Sequence, residues 1–188
     1  GTQPGFAECF MPNGRVPQAG DIFRSEAHAR TLELIAETEG EAFYRGVIAE
    51  RIAAHSQAHG GAMTMADLAA HQADWVGTIQ QRFGDSVVHE IPPNGQGIAA
   101  LMALGMLDAH GIGAQPVDDV ETVHASIEAM KLAFADLHQD NADIDAMPVK
   151  PYALLHPDYL RSRAALIDTT RAGDPGYGAP RPGGTVYL

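Results

Sequence analysis

The chain has 188 residues, 45% of them hydrophobic and 19% charged, with a formal net charge of -12. That composition is one of an ordinary globular protein and excludes chain-wide disorder. The acid excess argues against a nucleic-acid backbone as partner, because a phosphate-binding surface needs surplus Lys and Arg. Cys9 is the single cysteine, so an internal disulfide and a cysteine-based zinc site are both excluded. No apolar run approaches the ~20 residues of a membrane span. Gly1-Thr2-Gln3-Pro4-Gly5 has neither the basic start nor the apolar core of a signal peptide, and no initiator methionine, so the chain is expected to begin within a longer protein.

Residues 1–20 carry Pro4, Gly5, Pro12, Asn13, Gly14, Pro17 and Gly20, which predicts a surface loop. A helix is expected from about Ile22 to Thr38, with Leu32, Ile35 and Ala36 inward and Gly40 as its stop. A second helix follows from Glu41, where Tyr44, Val47, Ile48 and Ile52 form an amphipathic stripe, and ends at Gly60-Gly61. Thr64 with Asp67 three residues on resembles a capping box and predicts a short helix from Met65 to about His71. Two β-prone runs, Val76–Phe83 and Ser86–Ile91, flank the turn pair Gly84-Asp85 and predict a hairpin. Pro92-Pro93 ends its second strand.

A helix from about Gly97 to His110 is apolar nearly all round and therefore buried on most sides. The longest helix is expected from about Asp119 to Gln139. Val123, Ile127, Met130, Phe134 and Leu137 recur at helical spacing along it, and Asp118 and Asp119 stand where a cap belongs. Pro148 to Pro157 reads as loop and Asp158 to Asp168 as a last helix. Residues 173–184, rich in Gly and Pro, read as a flexible linker. Val186, Tyr187 and Leu188 read as the first step of a strand that continues further. The fold class is α+β, mostly helical with one central hairpin. A lone hairpin is marginal, so it is expected to pair with strands outside this chain.

Nine histidines raise the question of a metal. His124 and Glu128 stand at i, i+4, but no second histidine lies nearby at a matching spacing. Asp136, His138, Asp140 and Asp143 lack the glycine-marked spacing of a calcium loop. The expectation is a solvated acidic helix end, with no metal. Asn94-Gly95-Gln96-Gly97 lies between strand and helix, where backbone amides can hold an anion; it has no Walker lysine or dinucleotide glycine spacing, and a tight turn is the expectation. Cys9 in an extended loop is incidental, and no serine stands in a Gly-x-Ser-x-Gly context. Thr185 differs. A threonine freed as an N-terminus carries its own base, the α-amino group, which ordinarily titrates at about 7.7–8.0. Gly183 and Gly184 would let the backbone bend as Thr185 attacks its own preceding carbonyl. A plain junction of loop and strand is the competing reading of the same residues.

The order of the other segments bears on that choice. Ala42-Phe43-Tyr44-Arg45-Gly46-Val47-Ile48-Ala49 comes first. Gly60-Gly61-Ala62-Met63-Thr64-Met65-Ala66-Asp67-Leu68 follows, and then the hairpin ending in Pro92-Pro93-Asn94-Gly95-Gln96-Gly97. After it come His124 through Glu128-Ala129 to Lys131-Leu132-Ala133-Phe134-Ala135-Asp136, and Tyr159-Leu160. In this order they resemble the γ-glutamyltranspeptidase family of N-terminal-nucleophile hydrolases, over about Phe10 to Leu188. The resemblance covers the second half of the large subunit and the start of the small one.

The resemblance implies an αββα sandwich built by both subunits. Residues 1–172 would belong to the large subunit, 173–184 to its flexible tail and 185–188 to the start of the small subunit. It implies autocatalytic scission between Gly184 and Thr185, then acyl transfer with Thr185 as nucleophile and its α-amine as base. The partners implied are a small γ-glutamyl or other amide substrate and the remainder of the same proenzyme, with no cofactor. The substrate-binding residues fall outside this chain, which alone is expected to be inactive. Two departures stand out: Asn94-Gly95-Gln96-Gly97 replaces a serine-bearing stretch, and Val186-Tyr187 replaces a threonine and histidine. Both resemble a branch of the family with amidases of the oxamate amidohydrolase and acylase type. Besides such an amidase, the alternative is a non-catalytic helical interaction module in which Thr185 only starts a strand.

Overall fold

The computed structural model describes residues 5–11, 13–112 and 115–180. The chain divides into two units, Gly1–Asp74 and Trp75–Leu188. In the first, α1 (Phe6–Phe10) precedes α2 (Glu26–Glu37), α3 (Glu41–Tyr44), α4 (Val47–Ala58) and α5 (Met65–Ala70). The second holds β1 (Ile79–Phe83), β2 (Ser86–Glu90), α6 (Gly97–His110), α7 (Val120–Asp140), α8 (Pro151–Leu154) and α9 (Pro157–Ala164).

Several elements of the first unit depart from expectation. Phe6–Phe10 is helical where a loop was predicted. Leu32 and Ala36 on α2 are exposed, and the helix buries no residue fully. The single helix expected from Glu41 is broken into α3 and α4 at Gly46. A Cβ there would stand 2.9 Å from the Ala42 Cα, a clash with backbone that no side-chain movement relieves. The hydroxyl of Thr38 joins α2 to α3, donating to the Leu34 carbonyl and accepting from the Ala42 amide. The capping box formed as the sequence predicts. Thr64 Oγ1 accepts from the Asp67 amide, and the Asp67 carboxylate accepts from the Thr64 amide at 2.8 Å.

The second unit is built around α6. Ile98, Leu101, Met102 and Met106 are almost wholly removed from solvent, so the apolar-all-round pattern is satisfied by neighbours on several sides. The hairpin, α7 and α9 each pack on it. β1 and β2 pair antiparallel with Phe83 opposite Ser86, and Gly84-Asp85 form the turn. Gly84 adopts φ 56°, a left-handed conformation suited to glycine. The Gly84 amide also donates to Asp108 on α6. The first strand is shorter than predicted: Trp75 and Val76 are exposed and lie outside it.

Helix α7 lies where expected, capped by Asp119, whose carboxylate accepts from the Glu121 amide. The bulky stripe is inward only at its end, where Leu137 is buried and Phe134 packs against the core. Val123, Ile127 and Met130 are exposed. Ala125, Ala129 and Ala133 are fully buried instead, at i, i+4 and i+8. Small residues at that spacing let the backbones of α6 and α7 approach closely, and Ala99 and Ala103 answer them from α6. The predicted loop Pro148–Pro157 contains the short α8, and α9 ends at Ala164 rather than continuing to Asp168.

Candidate functional site

Thr185, Gly184 and Gly183 lie outside the described residues. What the structure describes is the path of the chain toward them. After α9 the chain runs beside α7 in the same direction, held in three places. His124 Nε2 donates to the Asp168 carbonyl oxygen at 2.8 Å; since a carbonyl only accepts, that ring nitrogen carries the proton. One turn on, Glu128 Oε2 accepts from the Gly173 amide at 2.9 Å, and its Oε1 accepts from Lys131 Nζ at 2.8 Å. Lys131 Nζ also donates to the Gly173 carbonyl. Two turns further, Asp136 Oδ1 accepts from the Gly178 amide at 2.7 Å. His124, Glu128 and Asp136 share one face of the helix because they are spaced by four and eight residues.

Asp136 is 1% exposed and Arg163, from α9, is 5% exposed. Burying either charge alone would be costly; together they cancel, provided their hydrogen bonds are complete. Those of Asp136 are. Its Oδ1 meets Arg163 Nη2 at 3.0 Å and the Gly178 amide, while Oδ2 accepts from Tyr159 Oη at 2.8 Å and Arg163 Nε at 3.1 Å. Three hydrogen bonds and the ion pair with Arg163 thus surround the carboxylate. Arg163 Nη2 reaches further, to the carbonyls of Leu132 at 3.3 Å and Gly176 at 2.8 Å.

This environment shifts the neighbouring acids. Burial pushes the Tyr159 phenol well above its ordinary value, and its hydrogen bond to anionic Asp136 pushes it the same way. The phenol therefore stays a donor. Hydrogen bonds from Lys131 and then from the Gly173 amide hold the Glu128 carboxyl below the usual carboxylate range. A lowered folded-state pKa means that its contribution is present above the ordinary carboxylate pKa and is lost as pH falls through the lowered one. Asp168 is also lowered, first by the Thr170 hydroxyl and then by the Thr170 amide.

The segment expected as a flexible linker is thus irregular from Gly173 to Pro180 yet hydrogen-bonded at Gly173, Gly176 and Gly178. His124 and Glu128, considered above as a ligand pair, each hold backbone of the tail. Among the described residues no group of three metal-binding side chains comes together. Asn94-Gly95-Gln96-Gly97 makes the turn into α6, and the Asn94 carbonyl accepts from Asn141 Nδ2 at 2.7 Å. The Glu90 side chain lies against Gly97 at the helix N-terminus, where the helix dipole favours a carboxylate. The acidic end of α7 is not solvated as expected: Asp136 and Asp140 are buried, and sequence reasoning missed Arg163 as the partner of Asp136 and Tyr159. The joint signal was available: an acid in a buried helix face and a basic residue in the next helix, each needing an opposite charge.

The family model described as Gamma-glutamyltranspeptidase matches residues 1–188. The oxamate amidohydrolase proenzyme of Klebsiella pneumoniae is 36% identical over 186 residues, 99% of this chain and 35% of that protein. The glutathione hydrolase-like YwrD proenzyme of Bacillus subtilis is 34% identical over 135 residues, 72% of this chain and 26% of that one. Among solved structures, the cephalosporin acylase from Bacillus halodurans superposes with a TM-score of 0.68 at 40% identity, over 87% of this chain and 30% of the acylase. The chain thus spans about a third or less of the length of these three relatives, and its helices and hairpin form part of an N-terminal-nucleophile fold. Matched from end to end by the family model and aligned over nearly all its length to a relative more than a third identical, the chain belongs to the gamma-glutamyltranspeptidase family.

Proposed function

We propose that the chain is the part of an autoprocessing amidohydrolase or acyltransferase proenzyme that leads into its scission bond, Gly184–Thr185. The observation that carries this reading is the family match over the whole chain, joined to relatives named as proenzymes. The hydrogen-bonded run from Asp168 to Gly178 supports it, because it conducts the chain toward that bond. Thr185 Oγ attacks the Gly184 carbonyl carbon; the peptide C–N bond breaks and an ester forms, while the proton lost from Oγ is taken up by the departing nitrogen. Water then hydrolyses the ester and leaves Thr185 as a free N-terminus. That α-amine next removes the Oγ proton as the hydroxyl attacks a substrate amide carbonyl, and it passes the proton to the leaving amine. Water or another amine takes the acyl group from the resulting ester.

Hydrolysis of a small amide is the favoured outcome. Asn94-Gly95-Gln96-Gly97 and Val186-Tyr187 depart from the γ-glutamyl-transferring pattern, and the 36% identical relative is named for oxamate amidohydrolysis. The remainder of the same proenzyme, the small subunit, is the partner that completes the sheet and the pocket. In the full-length protein, Thr185→Ala should stop both scission and amide hydrolysis, and Thr185→Ser should keep some of each. A Thr185→Ala precursor that is cut like the wild type, followed on a denaturing gel, contradicts the assignment.

A further inference from the structure

We propose that α7 and α9 form a positioning rail for scission, in which Glu128, Asp136, Tyr159 and Arg163 hold Gly173–Gly178 and thereby set where Thr185 falls. The inference rests on Gly184–Thr185 being the scission bond. These are positioning residues: they act through the backbone of the tail.

Apolar burial gives the tail little reason to lie where it does. Ala172, Asp174, Tyr177 and Ala179 are exposed, Pro175 is half-buried and Pro180 alone is buried, while Gly173, Gly176 and Gly178 have no side chain to bury. What holds it is polar, and costly. Glu128, Asp136 and Arg163 are three of the four buried polar or charged residues among those described. A buried ion pair is a weak stabiliser, often no better than an apolar replacement, whereas it does fix geometry. The register is equally specific from the side of the tail. A Cβ at Gly178 would fall inside the contact shell of Tyr159 Oη and 3.0 Å from Arg163 Cδ, so any residue but glycine must displace those two side chains.

The consequence is a short tether. Thr185 is seven residues beyond Gly178, twelve beyond Gly173 and seventeen beyond Asp168. Local concentration of a tethered group falls as roughly the -3/2 power of tether length. Release of Gly178 together with Gly176, which Arg163 holds from the same cluster, would then lower the density of the scission peptide at its proper place about twofold, and release back to Asp168 about fourfold. Loss of direction adds to both, because a peptide attacked by its own threonine must still be held where its carbonyl is polarised.

The test uses the full-length precursor, purified before conversion is complete and followed over time on a denaturing gel. Gly178→Ala, whose new methyl group pushes on both Tyr159 and Arg163, should slow scission at least about twofold, and Gly178→Ala with Glu128→Ala at least about fourfold. Tyr159→Phe removes the hydroxyl that collides with the new methyl group, so Gly178→Ala/Tyr159→Phe should recover part of the lost rate, a coupling that general loss of stability would not produce. If Glu128→Ala lowers the yield of folded precursor, the Gly178→Ala and Gly178→Ala/Tyr159→Phe pair decides. Wild-type precursor that stays whole overturns the scission assignment and this inference together. A wild type that is cut, with variants that keep pace, overturns the rail alone.

Discussion

At the scale of the residue, the second unit separates its buried acids by what they touch. Asp136 accepts three hydrogen bonds and is ion-paired with the Arg163 guanidinium. Asp140, one turn on and 6% exposed, stands beside that anion. Burial raises the Asp140 carboxyl above its ordinary range, and the charge of Asp136 raises it further. For an acid with a raised folded-state pKa, the stabilising contribution is full below the unfolded value, about 3.9, and is lost as pH rises through the folded one. Asp140→Asn removes the titration, so it should raise the thermal midpoint by a few degrees at pH 7 and lose that advantage near pH ~3.5. Equal midpoints at pH 7 would contradict the assignment of a buried, repelled charge. The same contrast explains what the residues revealed in advance. His124, Glu128 and Asp136 were visible as helical neighbours, but their partners are backbone atoms of a segment roughly forty residues later. No spacing rule encodes such a partner.

At the scale of the element, the sequence was readable where one local signal decides. Thr64 and Asp67 predicted their capping box, Gly84-Asp85 predicted the hairpin turn, and Asp119 predicted its cap. It misled where the choice depended on a neighbour. The bulky stripe of α7 located the helix and packs at Phe134 and Leu137, yet alongside the exposed Val123, Ile127 and Met130 the face that packs is the alanine face, because α6 approaches closely enough to need small residues. Helix α6 shows the same effect at Gly105. A Cβ there would lie 2.5 Å from Leu160 Cδ1 of α9 and 3.0 Å from Gln81 Cδ of β1. Helix propensity alone would favour Gly105→Ala by ~1 kcal/mol. Overpacking should dominate and leave the variant less stable by about 1–3 kcal/mol in denaturant unfolding. A variant as stable as the wild type would show that the three elements are not in close contact there.

At the scale of the molecule, the two units and the hairpin are a portion of a larger fold, since the chain spans 35% of the oxamate amidohydrolase proenzyme and 30% of the cephalosporin acylase. The open face of the hairpin and the exposed Val123, Ile127 and Met130 on α7 are features of that portion. The fold class was legible from the helical periods and the single hairpin. The function was not legible from any one motif, because Gly-Thr is common and only its place behind the matched segments gives it meaning. Residue, element and molecule meet in the proposed function, in which a tail held along α7 delivers Thr185 to be released as a nucleophile. N-terminal sequencing of the full-length protein after expression tests that claim most directly. A second chain beginning Thr185-Val186-Tyr187 is the expected result. A folded sample that remains a single uncut chain, or one cut at another bond, would contradict it.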